Sequence, residues 1–176
     1  TTPGMAESNL GDLVTDAFRD AAAAATPSDR VVAAFESDGV IRDDLLVGDD
    51  GVLCFADVFR TLPRGVGPDL RAGYPLVSFW VDGAELRDAC EVTVSVPGVA
   101  GGDYIIQMSG MRCHRNPSGG LMTLIDGVYL GNEVDGYSPT SIDISGADPT
   151  LYRVTVDLLV ANTMSDLSAL TYGLLE

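Results

Sequence analysis

The sequence predicts a single α+β domain, and three observations carry that prediction. Its 176 residues match one domain of ordinary size. Hydrophobic residues make up 46%, enough for a packed core. Helical and strand-like apolar patterns also follow one another without a regular β-α-β alternation, internal repeat or linker. The whole range 1–176 therefore reads as one mixed, layered domain.

The first element is a helix over about residues 9–25. Leu10, Leu13, Val14, Ala17, Phe18 and Ala21 recur at helical spacing as one apolar stripe, while Asp12, Thr15, Asp16, Arg19 and Asp20 lie off it. Ser8 suits the N-cap, Asp12 the positive end of the helix dipole, and Pro27-Ser28 the stop. Val31–Phe35 reads as a buried strand ending in the turn-rich Ser37-Asp38-Gly39. Phe55–Arg60 fits a one- or two-turn helix, and Arg64–Gly73, with three glycines and a proline, a loop. The β-type run Pro75–Val81 turns at Asp82-Gly83 into a second helix whose apolar positions are Ala84, Leu86, Ala89 and Cys90. Val99–Gly102 reads as a loop and Tyr104–Met108 as a strand. Leu121–Leu130 alternates around Asp126-Gly127, a hairpin signal. Tyr152–Leu159 alternates more cleanly, and Val160–Leu175 holds a closing helix.

Charge and composition narrow the function classes. Ten arginines, no lysine, twenty aspartates and six glutamates give a net charge of −16. Such a surface opposes general nucleic-acid binding, which draws affinity from cations that neutralise phosphates. No apolar run approaches the length of a membrane span. Cys54, Cys90 and Cys113 lack metal-ligand spacing; they read as buried or half-buried free thiols, with one disulfide at most. His114 is the one histidine, so a dinuclear metal centre or a Ser-His-Asp triad would have to rest on it alone. Independent hydrolytic chemistry is therefore not expected.

Other features have plain readings. Arg112-Cys113-His114-Arg115 is a basic knot read as an exposed turn before Asn116–Gly120. Asp43-Asp44 and Asp49-Asp50-Gly51 lack calcium-loop spacing and read as solvated turns. Trp80, Phe79 and Tyr74 read as core and rim packing.

Several segments, in order, resemble one family. Glu7-Ser8-Asn9-Leu10-Gly11-Asp12-Leu13-Val14-Thr15-Asp16-Ala17 resembles the E-T-N-L-G-N-L-I-A-D-A opening of the 5′-nucleotidase C-terminal domain. Ser37–Arg42 resembles its N-G-G-x-I-R loop, and Val52–Phe59 with Leu62-Pro63 its next segment. Leu76–Leu86 is similar to its strand-turn-helix, and Tyr152–Val156 to its late Y-r-v-a strand. The resemblance implies the substrate-binding half of a two-domain phosphoesterase. Divalent metals and catalytic residues would sit in an N-terminal metallophosphoesterase domain, with no cofactor held by this chain. It also implies nucleotide catabolism and an extracytoplasmic location.

On that resemblance Arg42 matches the arginine on the substrate's phosphate side, a planar and permanently charged bidentate donor. Gly39 beside it would let the backbone approach a ligand. The alternative for Arg42 is a surface ion pair with Asp43, Asp44 or another aspartate. The family's two base-stacking aromatics are missing. Arg64 stands where the first is expected and Leu159 lies in the segment of the second; Ala161–Met164 replaces the usual G-G-D-G-Y. These two residues would line an altered clamp, and a non-catalytic structural or interaction module that has lost nucleotide binding is the rival reading.

Overall fold

Layers form because the two faces of one mixed sheet differ in chemistry. The structure, a computed structural model, describes residues 8–96 and 105–163. Its elements are α1 (Asn9–Ala25), β1 (Val31–Ser37), α2 (Phe55–Thr61), β2 (Leu76–Val81), α3 (Gly83–Ser95), β3 (Ile106–Ser109), β4 (Met111–Arg115), β5 (Ile125–Asn132), β6 (Gly136–Tyr137) and β7 (Tyr152–Asp157). The main sheet runs β2-β7-β1-β3, with β1 and β7 parallel at its centre and antiparallel partners outside. A smaller antiparallel sheet runs β4-β5-β6. This is the mixed α/β architecture expected from the sequence.

Strand alternation sorts the side chains. Ala33 and Phe35 from β1 and Val154 and Val156 from β7 point to one face, where they join Leu86 of α3 and Val128 of β5 in the core. Burying each of the larger side chains stabilises the fold by about 1.5–3 kcal/mol. The opposite face carries Glu36, Gln107, Ser109, Thr155 and Asp157, all buried. Buried polar groups are tolerated only when hydrogen-bonded or paired, and this layer meets that condition largely within itself.

That polar face corrects the expectation for α1. The helix spans the expected residues, and Ser8 caps it by accepting from the Gly11 amide at 3.0 Å. Yet it buries Gly11, Thr15 and Ala22 rather than the apolar stripe, leaving Leu13 exposed at 53%. The cause is close approach to a polar partner. A Cβ at position 11 would lie 2.3 Å from Gln107 Oε1, so only glycine lets the first turn cross that amide. Thr15 turns its hydroxyl back to the Gly11 carbonyl at 2.9 Å and needs no water.

The remaining elements follow local signals more closely. A reciprocal capping box opens α3, with the Glu85 amide donating to Asp82 and the Asp82 amide to Glu85. In α2 the Asp57 carboxylate accepts from the Cys54 amide, which holds that carboxyl below its ordinary pKa. Residues 158–163 are helical, so the closing helix starts two residues before the expected Val160 and β7 ends at Asp157 rather than Leu159, where Asp157 caps the helix. The rest of that helix, the Val99–Gly102 loop and Tyr104 lie outside the described residues.

Four expectations are corrected. Asp126-Gly127 is not a hairpin turn but part of β5, where Gly127 pairs with His114; the hairpin turns through residues 116–124 instead. Non-local pins choose that turn, since Glu91 of α3 accepts from the Ile125 amide and Ser95 from the Met122 amide. The basic knot is strand β4 rather than a turn, and Arg112 lies over the rings of Tyr129 and Tyr137 at 5.1 and 4.6 Å. Cys90 and Cys113 are not free thiols but a disulfide joining α3 to β4, their Cα atoms 6.1 Å apart. Cys54 is free but exposed, not buried or half-buried. Trp80, on the edge strand β2, is 55% exposed rather than packed in the core.

Candidate functional site

Parallel pairing of β1 and β7 brings their C-terminal ends to one edge of the sheet. β2 is antiparallel to β7 and starts at that edge, so the 62–75 loop arrives there too. The Leu158 amide donates to the Pro75 carbonyl at 3.0 Å and seals the junction. Open α/β sheets place ligands at such carboxyl-terminal edges, where strand-end loops converge. Gly39 and Arg42 leave from β1, Leu159 from β7, and Arg64 lies on the entering loop.

After β1 a 3-10 turn over Asp38–Val40 leads to Arg42. Gly39 sits inside that turn without a positive φ. The Asp38 amide donates to the Ile105 carbonyl at 2.8 Å, and the Arg42 amide to the Thr61 carbonyl at 2.8 Å, so the backbone is held at both ends. The Arg42 side chain is exposed and makes no hydrogen bond or ion pair among the described residues. Asp43, the nearest acid in sequence, pairs with Arg60 at 2.9 Å. A fixed backbone thus presents an uncommitted guanidinium to solvent.

Arg64 has the opposite environment. Its side chain is 8% exposed, 3.0 Å from Glu36 and 2.6 Å from Asp157. The register explains the two acids: Ala34 pairs with Thr155, so Glu36 and Asp157, two residues on, stand side by side. Two buried carboxyl groups then share one guanidinium. Burial first, and the neighbouring Asp157 second, push the Glu36 carboxyl up from 4.5 to about 8, against the pull of Arg64. Asp157 also caps the helix after β7, accepting from the Val160 amide at 2.7 Å. Leu159 sits half-buried in that helix's first turn. Arg64 and Leu159 are thereby linked through Asp157.

Sequence reasoning singled out neither Glu36 nor Asp157. Their signal was present: each is an acid closing an apolar strand, in Val-Val-Ala-Ala-Phe-Glu and in Tyr-Arg-Val-Thr-Val-Asp. In the segment that follows Arg42, Leu46, Val47, Val52, Leu53, Phe55 and Val58 are each exposed, Phe55 to 72%.

The model of the 5′-nucleotidase C-terminal domain matches residues 2–157. The chain belongs to this family. Among solved structures it is similar to a 5′-nucleotidase precursor from Thermus thermophilus, with 28% identity and a TM-score of 0.64 over 89% of this chain. It also shares the fold of the Haemophilus influenzae NAD nucleotidase, with 20% identity and a TM-score of 0.53 over 76% of this chain. The 5′-nucleotidase C-terminal domain described here spans 26% of the first of those chains and 21% of the second. No curated protein matches it. Among its described residues no helix is long and apolar enough to cross a membrane, and no three His, Cys, Asp or Glu side chains converge as a metal site.

Proposed function

We propose that this domain recognises a nucleotide or related phosphate ester for a metal-dependent 5′-nucleotidase-like hydrolase acting in nucleotide catabolism. Its partner is a metallophosphoesterase domain of the same parent protein, which supplies the divalent metals. The observation that carries this reading is Arg42, an exposed guanidinium without a partner among the described residues, on a turn held at both ends at the carboxyl edge of the sheet. A charged fork of this kind binds a phosphate bidentately with little reorganisation. Six large apolar side chains between Leu46 and Val58, exposed in the segment that follows Arg42, are compatible with a second domain covering that segment.

Arg64 anchors the 62–75 loop in this reading rather than stacking on a base. Its guanidinium is committed to Glu36 and Asp157, so the contact beyond the phosphate falls to Leu159, and the preferred substrate differs from one held between two aromatic rings. The rival reading, an interaction module without nucleotide binding, draws on the same buried Arg64. Calorimetric titration with AMP, UMP and a sugar nucleotide separates them. Binding that Arg42→Ala abolishes supports substrate recognition; no heat from any of the three supports the rival. The Cys90–Cys113 disulfide supports an extracytoplasmic location, because oxidising compartments preserve such bonds.

A further inference from the structure

One side chain ties the start of α1 to the turn that carries Arg42. Gln107, in the middle of the edge strand β3, is completely buried. Its Oε1 accepts from the Ser8 amide at 3.0 Å, and its Nε2 donates to Asp38 Oδ1 at 3.1 Å. The Asp38 carbonyl in turn accepts from the Ile41 amide at 3.1 Å, one residue before Arg42. Gly11 leaves room for this amide, since any Cβ there would meet three atoms of the Gln107 side chain within 2.4 Å.

We propose that Gln107 is a positioning residue for phosphate binding, bridging the Ser8 amide and the Asp38 carboxylate so that the Asp38–Val40 turn holds Arg42 in place. The proposal rests on the reading of Arg42 as the phosphate contact. It adds a specific dependence: a strand far from Arg42 in sequence sets the geometry of the recognition turn. The chemistry requires an amide at this position. Asp38 accepts and the Ser8 amide donates, and glutamine serves both without taking up a proton, whereas a glutamate does so only while protonated. Glutamate would keep the acceptor but face Asp38 with a second carboxylate in a buried site.

The test reverses the donor. Run at pH 9, above the value to which burial and a neighbouring carboxylate raise Glu36, Gln107→Glu sets two carboxylates against each other; adding Asp38→Asn restores a bond, with the asparagine amide now donating to the new carboxylate. Amide hydrogen exchange at Asp38 and Ile41 reads the turn, and calorimetric titration with AMP, with inorganic phosphate in parallel, reads the site. Because the bond involves a charged group, Gln107→Glu is expected to speed exchange at the turn and weaken AMP binding by roughly tenfold or more each. The double variant is expected to recover both, which a general loss of stability would not do. Unchanged exchange at the turn in Gln107→Glu overturns the proposal. So does a loosened turn with unchanged AMP affinity; if Arg42→Ala still abolishes binding, the reading of Arg42 survives that failure. Absence of AMP and phosphate binding by the unaltered chain overturns the reading of Arg42 itself, and the proposal with it.

Discussion

Replacing Glu36 with glutamine tests the buried triad through the pH dependence of stability. The Glu36 carboxyl has its pKa raised from 4.5 to about 8, through burial first and Asp157 second. In the native state the proton is therefore retained up to about pH 8, whereas the unfolded chain releases it above 4.5. Raising the pH between those values favours unfolding; above the native value both states have lost the proton and the effect levels off. Each pH unit well inside the window removes about 1.4 kcal/mol and the slope halves by pH 8, so roughly 2 kcal/mol is lost between pH 6 and pH 8. For a chain of this size that corresponds to a fall in melting temperature of roughly 4–8 °C.

Comparing the parent with Glu36→Gln isolates this group, because every other titratable side chain is common to both proteins. Urea unfolding followed by circular dichroism at pH 6, 7, 8 and 9, at one ionic strength, gives the two curves. The parent is expected to lose stability up to pH 8 and then to level off. Glu36→Gln keeps one acceptor in place, forfeits about 1 kcal/mol of hydrogen bonding, and is expected to stay nearly flat and to exceed the parent above pH 8. Parallel curves for the two proteins would refute the reasoning, since they would show that Glu36 keeps the same charge across the window.

Arg64→Met leaves Glu36 and Asp157 buried without their cation and is expected to cost about 3–5 kcal/mol at pH 8; a loss below about 1 kcal/mol in the same unfolding assay contradicts a buried ion triad. Gly11→Ala should destabilise the fold by roughly 1–3 kcal/mol despite alanine's better helix propensity, because its Cβ meets the pinned Gln107 side chain. A neutral or stabilising result places α1 elsewhere on the sheet. The disulfide closes a 23-residue separation and contributes about 3 kcal/mol. Paired Cys90→Ala and Cys113→Ala substitutions should lower the melting temperature by a matching amount, and an unchanged value in both reduced parent and variant counts against the bond.

Element by element, what was legible in the sequence depended on whether its cause was local. The Asp82-Gly83 turn into a second helix, the Ser8 cap and the alternation from Tyr152 are written within a few residues; α1 and α3 begin where expected, and β7 begins at Tyr152 but ends at Asp157 rather than Leu159. The misread hairpin shows the limit. Asp126-Gly127 is a sound turn dipeptide, yet strand pairing with β4 and the pins from Glu91 and Ser95 outweigh it. Arg42 was legible as a candidate through the order of family segments; that Asp43 spends its charge on Arg60 was not.

By itself the sequence determined the inventory: a mixed α/β class, a net charge of −16, a family order of segments and an arginine in a turn after a buried strand. Tertiary structure decided how these were used. It turned α1 onto a polar sheet face, drew Arg64 between two carboxylates, closed a disulfide across 23 residues and left Arg42 in solvent. Propensity, capping and periodicity act over a few residues and can be read along the chain. Burial, ion pairing and close approach join residues distant in sequence, and only folding fixes which of them meet.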